Sequence, residues 1–171
     1  MKKYLISIIL GLLITSSALA RSTGCKEGNC ENGYGKWVYT DKTTYEGEWV
    51  GTKKHGQGTE TWPNGYIYKG QFHNSLWNGL GTLMFPDGST YEGEWVGTKK
   101  HGQGIETWPN GYIYKGEFKN SVWSGKGIMT FPNGATYDGE WANGFMNGEG
   151  TFTWSDGKEK KGIWKNGKFQ E

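Results

Sequence analysis

Residues 45–67 read Y-E-G-E-W-V-G-T-K-K-H-G-Q-G-T-E-T-W-P-N-G-Y-I, and the rest of the chain restates that pattern every 23 residues. The lead Tyr45 recurs as Tyr68, Tyr91, Tyr114 and Tyr137. A glycine stands two residues on (Gly47, Gly70, Gly93, Gly116, Gly139) and an aromatic four residues on (Trp49, Phe72, Trp95, Phe118, Trp141). Each copy then carries G-x-G, from Gly56-Gln57-Gly58 to Gly148-Glu149-Gly150. A closing aromatic (Trp62, Phe85, Trp108, Phe131, Trp154) precedes P-N-G, P-D-G or S-D-G. Self-similarity at a fixed period of this size marks a repeat array, in which each unit buries its apolar face only by stacking on its neighbours.

Within the unit, Pro63-Asn64-Gly65 is turn chemistry: Pro presets φ near −65°, Asn tolerates the left-handed region and Gly enters it freely. Beyond the turn, period-two alternation puts Tyr66, Tyr68, Gly70 and Phe72 on one strand face and Ile67, Lys69 and Gln71 on the other. A strand glycine such as Gly70 leaves a floor over which flanking rings can lie, and rings of successive units then form a ladder. Each aromatic contact contributes on the order of 0.5 to 1 kcal/mol beyond area burial. No stretch escapes Gly or Pro for long enough to read as a helix outside the leader. The predicted class is therefore all-β: a single elongated, twisted antiparallel sheet of repeated β-hairpins, without a globular core. About twelve strands at about 4.8 Å would span on the order of 55 Å.

The composition agrees, with 30 Gly, 10 Trp and 10 Tyr in 171 residues. That is too many aromatics for disorder and too little aliphatic bulk for a thick core. At the start, Met1-Lys2-Lys3, the apolar run 4–14 and Ala18-Leu19-Ala20 form the n-, h- and c-regions of a secretory signal peptide, residues 1–20. The apolar run is too short for a comfortable transmembrane helix. Cleavage removes Lys2 and Lys3 and no acid, so the 19 basic and 17 acidic residues become 17 of each and the mature chain is formally neutral. Cys25 and Cys30 come soon after, and in an exported chain they read as a small-loop disulfide. A rival reading is a lipoprotein anchored through Cys25; Gly24 suits it, whereas Ser22 stands where such a signal has an apolar residue. Metal binding by these cysteines with His55, His73 or His101 is not expected, since no His stands at a finger-like distance.

Residues 21–44 make an N-terminal cap with the Cys pair and half a unit. Residues 45–159 hold five full repeats, and residues 160–171 form a partial capping unit led by Lys160. A longer period overlies the first: residues 45–90 match residues 91–136 at 35 of 46 positions, so unit types alternate, as duplication of a two-unit block would leave them.

The Y-x-G-x-W, G-x-G and P-N-G/P-D-G grammar at this period resembles the MORN repeat over essentially the whole mature chain. The start C-K-E-G-N-C-E-N-G-Y-G is similar to that of exported bacterial members. The resemblance implies a meander of hairpins used as a scaffold for protein contact or, in some members, for anionic phospholipid. It implies no catalysis, since enzymatic members carry a separate catalytic domain.

The paired carboxylates Glu46/Glu48, Glu92/Glu94 and Asp138/Glu140 recur with the repeat, unlike a unique catalytic pair, and read as solvated partners of Lys69 and Lys115. Tyr45, Gly47, Trp49 and their copies are assigned to building the sheet. The candidates for partner or lipid contact are the loops at Lys53, Lys54 and His55 and at Lys99, Lys100 and His101, alternating with Trp77 and Trp123. The expected function is a non-enzymatic exported scaffold, periplasmic or secreted, for a protein partner. The alternatives are peripheral binding to anionic phospholipid, or cell-wall glycan binding through the aromatic rows. Nothing points to nucleic acid, a metal or a cofactor.

Overall fold

The computed structural model describes residues 23–171; the signal peptide expected over residues 1–20 lies outside them. The chain forms β1 (Gly24–Gly28), β2 (Gly33–Val38), β3 (Thr44–Val50), β4 (Lys53–Thr61), β5 (Ile67–His73), β6 (Leu76–Met84) and β7 (Thr90–Val96). It continues with β8 (Lys99–Thr107), β9 (Ile113–Lys119), β10 (Val122–Thr130), β11 (Thr136–Ala142), β12 (Phe145–Thr153), β13 (Glu159–Lys165) and β14 (Lys168–Phe169). All fourteen strands pair antiparallel in chain order in one open sheet. Twelve were expected. The two extra strands are the Cys-bearing β1 and the closing β14, where the chain folds back at each end of the array. Cys25 and Cys30 form a disulfide, their Cα atoms 6.0 Å apart.

From β2 onward two kinds of hairpin alternate along the sheet. One is the anticipated P-N-G turn, where Gly65 N–H donates to Trp62 O (3.0 Å) and Trp62 N–H donates to Tyr66 O (2.9 Å). That is a three-residue loop closed by a glycine in the left-handed region. The other kind has two residues, both at positive φ: Gly51-Thr52, Asn74-Ser75, Gly97-Thr98, Asn120-Ser121, Asn143-Gly144 and Asn166-Gly167. These are type I′ turns, whose twist matches that of the strands they join. Thr52-Lys53-Lys54-His55 is therefore not the loop expected from sequence. The turn ends at Thr52 and Lys53 opens β4.

A glycine row crosses the sheet from strand to strand: Gly35, Gly47, Gly58, Gly70, Gly81, Gly93, Gly104, Gly116, Gly127, Gly139, Gly150 and Gly162 all stand in register. On one face the lead tyrosines Tyr45, Tyr68, Tyr91, Tyr114 and Tyr137 lie across this row, each 0% exposed. A Cβ at Gly47 would sit 2.6 Å from Tyr45 Oη. Each Tyr ring meets two aromatics edge-on: Tyr45 meets Trp49 and the next unit's Phe72, both at 4.9 Å, and Tyr137 meets Trp141 at 5.2 Å and Trp164 at 5.4 Å. The phenol hydroxyls donate inward, Tyr45 to Glu48 O at 2.9 Å and Tyr91 to Glu94 O at 3.0 Å, so no buried hydroxyl is left unpaired on this ladder. Indole N–H groups do the same, Trp49 to Gly35 O and Trp95 to Gly81 O, both at 3.0 Å.

Candidate interaction surfaces

The aromatic face is consumed by its own packing. Nine residues after the lead Tyr of each of the first four units a side chain lies against that ring, and this slot is filled in two ways. Trp77 stacks on Tyr68 (4.2 Å, 3°) and Trp123 on Tyr114 (4.7 Å, 14°). In the intervening units Lys54 lies 5.3 Å from the Tyr45 ring and Lys100 4.9 Å from the Tyr91 ring, each ion-paired with a buried carboxylate, Glu60 or Glu106. Lys54 and Lys100, expected as exposed contact residues, are therefore interior, their side chains only 11% and 12% exposed. They sit one residue further into the strand than the turn allows for a tip, and the alternation of the pleat turns them onto the aromatic face. Trp77 and Trp123 are half-buried, one ring face lying against a Tyr.

The second carboxylate of each expected pair has a structural task, which Glu117, outside those pairs, shares. Glu48 Oε1 accepts Gln57 N–H (2.8 Å), Glu94 accepts Gln103 N–H (2.8 Å), Glu117 accepts Lys126 N–H (3.0 Å) and Glu140 accepts Glu149 N–H (2.9 Å). In the second unit Gln71 does this for Leu80 N–H at 2.8 Å. All pin the β-bulge at the first glycine of G-x-G, where Gly56 and Gly102 stand at φ +51°. None pairs with Lys69 or Lys115. Glu46 instead faces Lys36, at 3.7 Å. The bulge accounts for G-x-G: the first glycine takes the left-handed conformation and the second lies under the Tyr ring.

The opposite face is open. Its rows of side chains run across the strands, and along it lies an open groove of about 610 Å³ lined by Gln57, Lys69, Leu80, Thr82, Glu92 and Ile105 among others. Leu80 is 64% exposed there. At the type I′ rim this face carries one further row. Val50, Leu76, Val96, Val122 and Phe145 stand exposed among Lys53, His73, Lys99, Lys119, Lys165 and Lys168. Across the hairpins Val50 pairs with Lys53, His73 with Leu76, Val96 with Lys99 and Lys119 with Val122. No acid occurs at any of these rim positions. Successive turns are tied together, Ser75 N–H donating to Lys54 O and Thr98 N–H to Trp77 O, both at 2.9 Å, so the rim is continuous. Of the residues expected from sequence, the structure brings Lys53 and Lys99 to this rim. His55 and His101 lie just inside it and are partly buried; the His55 ring meets that of His73 at 4.8 Å. Sequence reasoning missed the rim's aliphatic members and Lys119, Lys165 and Lys168. The N-G pairs at Asn143-Gly144 and Asn166-Gly167, strong two-residue hairpin signals, would have located it.

The sequence profile of the MORN repeat matches residues 45–65, 68–90, 91–111, 114–136 and 137–159. The chain belongs to the MORN-repeat family. Alsin of Rattus norvegicus and alsin of Homo sapiens are each 48% identical to it over 33 residues, 19% of this chain and 2% of alsin. The chain thus matches only a small part of those relatives. Among solved structures, the SAS-4 (dCPAP) TCP domain of Drosophila melanogaster, in complex with a proline-rich motif of Ana2 (dSTIL), superposes with a TM-score of 0.54. The superposition covers 95% of this chain and 86% of that one at 10% identity, a likeness of fold alone. MORN repeats in a single sheet make this protein a repeat scaffold, a binding module.

Proposed function

We propose that this MORN protein is an exported, non-enzymatic scaffold that holds an extended acidic and aliphatic segment of a partner protein along its type I′ rim. The observation that carries the reading is the acid-free row of exposed lysines interleaved with exposed Val50, Leu76, Val96, Val122 and Phe145. Opposite charge would steer such a segment and aliphatic contact would hold it. The same chemistry suits an anionic membrane, but neighbouring strands of a twisted sheet rotate by about 20–25°. A planar bilayer would therefore meet only a few strands of the rim, whereas an extended chain can track all of it. The fly SAS-4 domain, solved with a proline-rich motif, lends support as a fold of this kind that takes a short partner motif. The glycan alternative has less support, because the aromatic rows lie against one another. Export rests on the leader-like residues 1–20 and on the Cys25–Cys30 disulfide, which fits an oxidising compartment and uses the sulfur a lipid thioether would need.

The test is cross-linking of the protein in its own envelope, comparing the unaltered chain with Lys53→Glu/Lys99→Glu/Lys119→Glu, alongside sedimentation with phosphatidylglycerol vesicles. A partner cross-linked by the unaltered chain and lost with the triple variant supports the reading. Sedimentation with vesicles that the triple variant abolishes, without any protein cross-link, would replace it with the lipid reading.

A further inference from the structure

A second row on the open face, separate from the rim, is written in alternating charge. The strand register places Glu46, Lys69, Glu92, Lys115, Asp138 and Lys161 in one line, on β3, β5, β7, β9, β11 and β13. All six are exposed. Successive members lie two strands apart, about 9.6 Å, too far to pair with each other. Among the described residues only Glu46 of these six has an ion-pair partner, Lys36. On the strands between stand uncharged residues: Thr59, Thr82, Ile105, Ile128 and Thr151. Duplication of the two-unit block would make the alternation an inheritance within residues 45–136. It nevertheless continues in Asp138 and in Lys161, which lie outside that block, the latter in the degenerate final half-unit.

A row that reads minus, plus, minus, plus, minus, plus becomes its own complement when reversed. We propose that two copies of this chain associate open face to open face about a two-fold axis parallel to the strands and passing at Ile105. The axis sets Glu92 against Lys115 of the second copy, Lys69 against Asp138, and Glu46 against Lys161, each pair occurring twice, as an isologous interface requires. Ile105, on the central strand β8, meets its own copy, and Thr82 meets Ile128.

The next row toward the P-N-G turns, including Met84, Thr90, Thr107 and Ile113, carries no charge through the centre of the face and closes against itself in the same arrangement. On the other side Glu94 would face Glu117 across the axis, and at the rim end of β8 Lys99 would face its own copy, exposed to solvent. Both carboxylates are turned back onto their own bulge N–H groups, 2.8 and 3.0 Å away. Sheets of the same hand can track each other at about 10 Å, and three rows along about 55 Å cover on the order of 800 Å² per copy, the size of a standard interface. A partner of one charge sign would suit half of the row only, which is why a second copy is the occupant chosen.

Sedimentation equilibrium of the chain purified after export reads the outcome. A dimer is expected at low salt, weakening as salt is raised. Glu92→Lys and Lys115→Glu each place like charges at both central pairs and should raise the dissociation constant at least tenfold. The double variant Glu92→Lys/Lys115→Glu exchanges the partners and should restore it. Because all these residues are exposed, an unchanged near-ultraviolet circular dichroism spectrum separates loss of pairing from loss of fold. Independently, Ile105→Cys should cross-link to its own copy through a short bis-maleimide reagent, whose span suits sheets about 10 Å apart, and Thr151→Cys should not. A chain monomeric at low salt and high concentration, a dimer indifferent to the single reversals, or failure of the double reversal to restore it would each overturn the proposal.

Discussion

Gly104 and Gly97 lie seven residues apart and resist a side chain for different reasons. At Gly104 the backbone is ordinary, but a Cβ would fall 2.6 Å from Tyr91 Cε2 and Oη, so the buried ring would have to move. At Gly97 there is open space, but φ is +56°. Gly97→Ala should therefore cost about 1 kcal/mol of backbone strain, and Gly97→Asn less, since Asn74 and Asn120 hold the same turn position at φ 50° and 52°. Gly104→Ala should cost about 2 to 3 kcal/mol, as an overpacked core does. Urea midpoints decide, and equal costs at the two sites would remove the ring-on-glycine explanation of the strand glycines. The same tyrosines set the alkaline limit. Burial first, with nearby carboxylates such as Glu48 beside Tyr45 and Glu94 beside Tyr91, raises the phenols above their usual 10.0, Tyr137 to about 12. The folded chain holds them neutral while the unfolded chain would release their protons first. Their contribution is thus intact below pH 10 and is lost as pH rises through the folded values. Five tyrosines should ionise together with the loss of near-ultraviolet dichroism well above pH 10. Tyrosinate absorbance reaching completion near pH 10 with the dichroism intact would contradict this.

Within an element, the slot over each lead Tyr shows how neighbouring strands settle one packing problem in two ways. Lys54 with Glu60 and Lys100 with Glu106 fill it by a buried ion pair under the rings. Trp77 with Leu83 and Trp123 with Met129 fill it by stacking, while Met146 and Phe152 stand at the corresponding sequence positions of the last unit. Lys54→Met alone strands the Glu60 carboxylate, 9% exposed, and should cost about 3 kcal/mol. Lys54→Met/Glu60→Leu removes both charges, leaves residues already used at these places elsewhere in the array, and should recover most of that loss in a urea titration. Equal destabilisation by the single and double variants would show that the pair is not coupled. The period, the P-N-G turns, the aromatic ladder and the floor glycines are legible in the sequence because each is a local steric demand repeated at fixed spacing. The burial of Lys54 is not, because a lysine two residues past a turn reads as solvent-exposed unless the matching acid at residue 60 is seen to vary with it from unit to unit. The rim is hard to place for a related reason: Gly51-Thr52 and Asn74-Ser75 are weaker turn signals than P-N-G, so the strand starts after them read as loops. Glu48 looks like half of a carboxylate pair because a side chain that accepts a bulge N–H has no partner residue in the sequence to announce it.

At the scale of the whole molecule, the sheet is a one-dimensional object with two unlike faces, one closed by rings and one left for contact, and its stability should obey nearest-neighbour rules. The packing at each junction depends on unit type. Lys54 lies 6.0 Å from the Phe72 ring of the next unit, whereas Trp77 lies edge-on to Trp95, at 4.9 Å. A lysine-type unit is thus built to precede a phenylalanine, and a tryptophan-type unit to precede a tryptophan. Two insertions of identical length and composition separate this rule from mere inheritance by duplication. Residues 45–90 inserted again after Thr90 keep the alternation, and every junction repeats one already present. Residues 68–90 and then 45–67 at the same place create two foreign junctions. In one, Trp77 meets a phenylalanine and leaves a void; in the other, Lys54 meets a tryptophan and is crowded. Each foreign junction should cost about 1 to 3 kcal/mol. Measured in high salt, where the open-face charges matter least, the ordered insertion should match or exceed the original chain in urea midpoint. The reversed one should fall clearly below it, its two halves unfolding with less cooperativity. Coincident midpoints for the two insertions would mean that any unit can stand after any other, and the alternation would then record only how the array was copied.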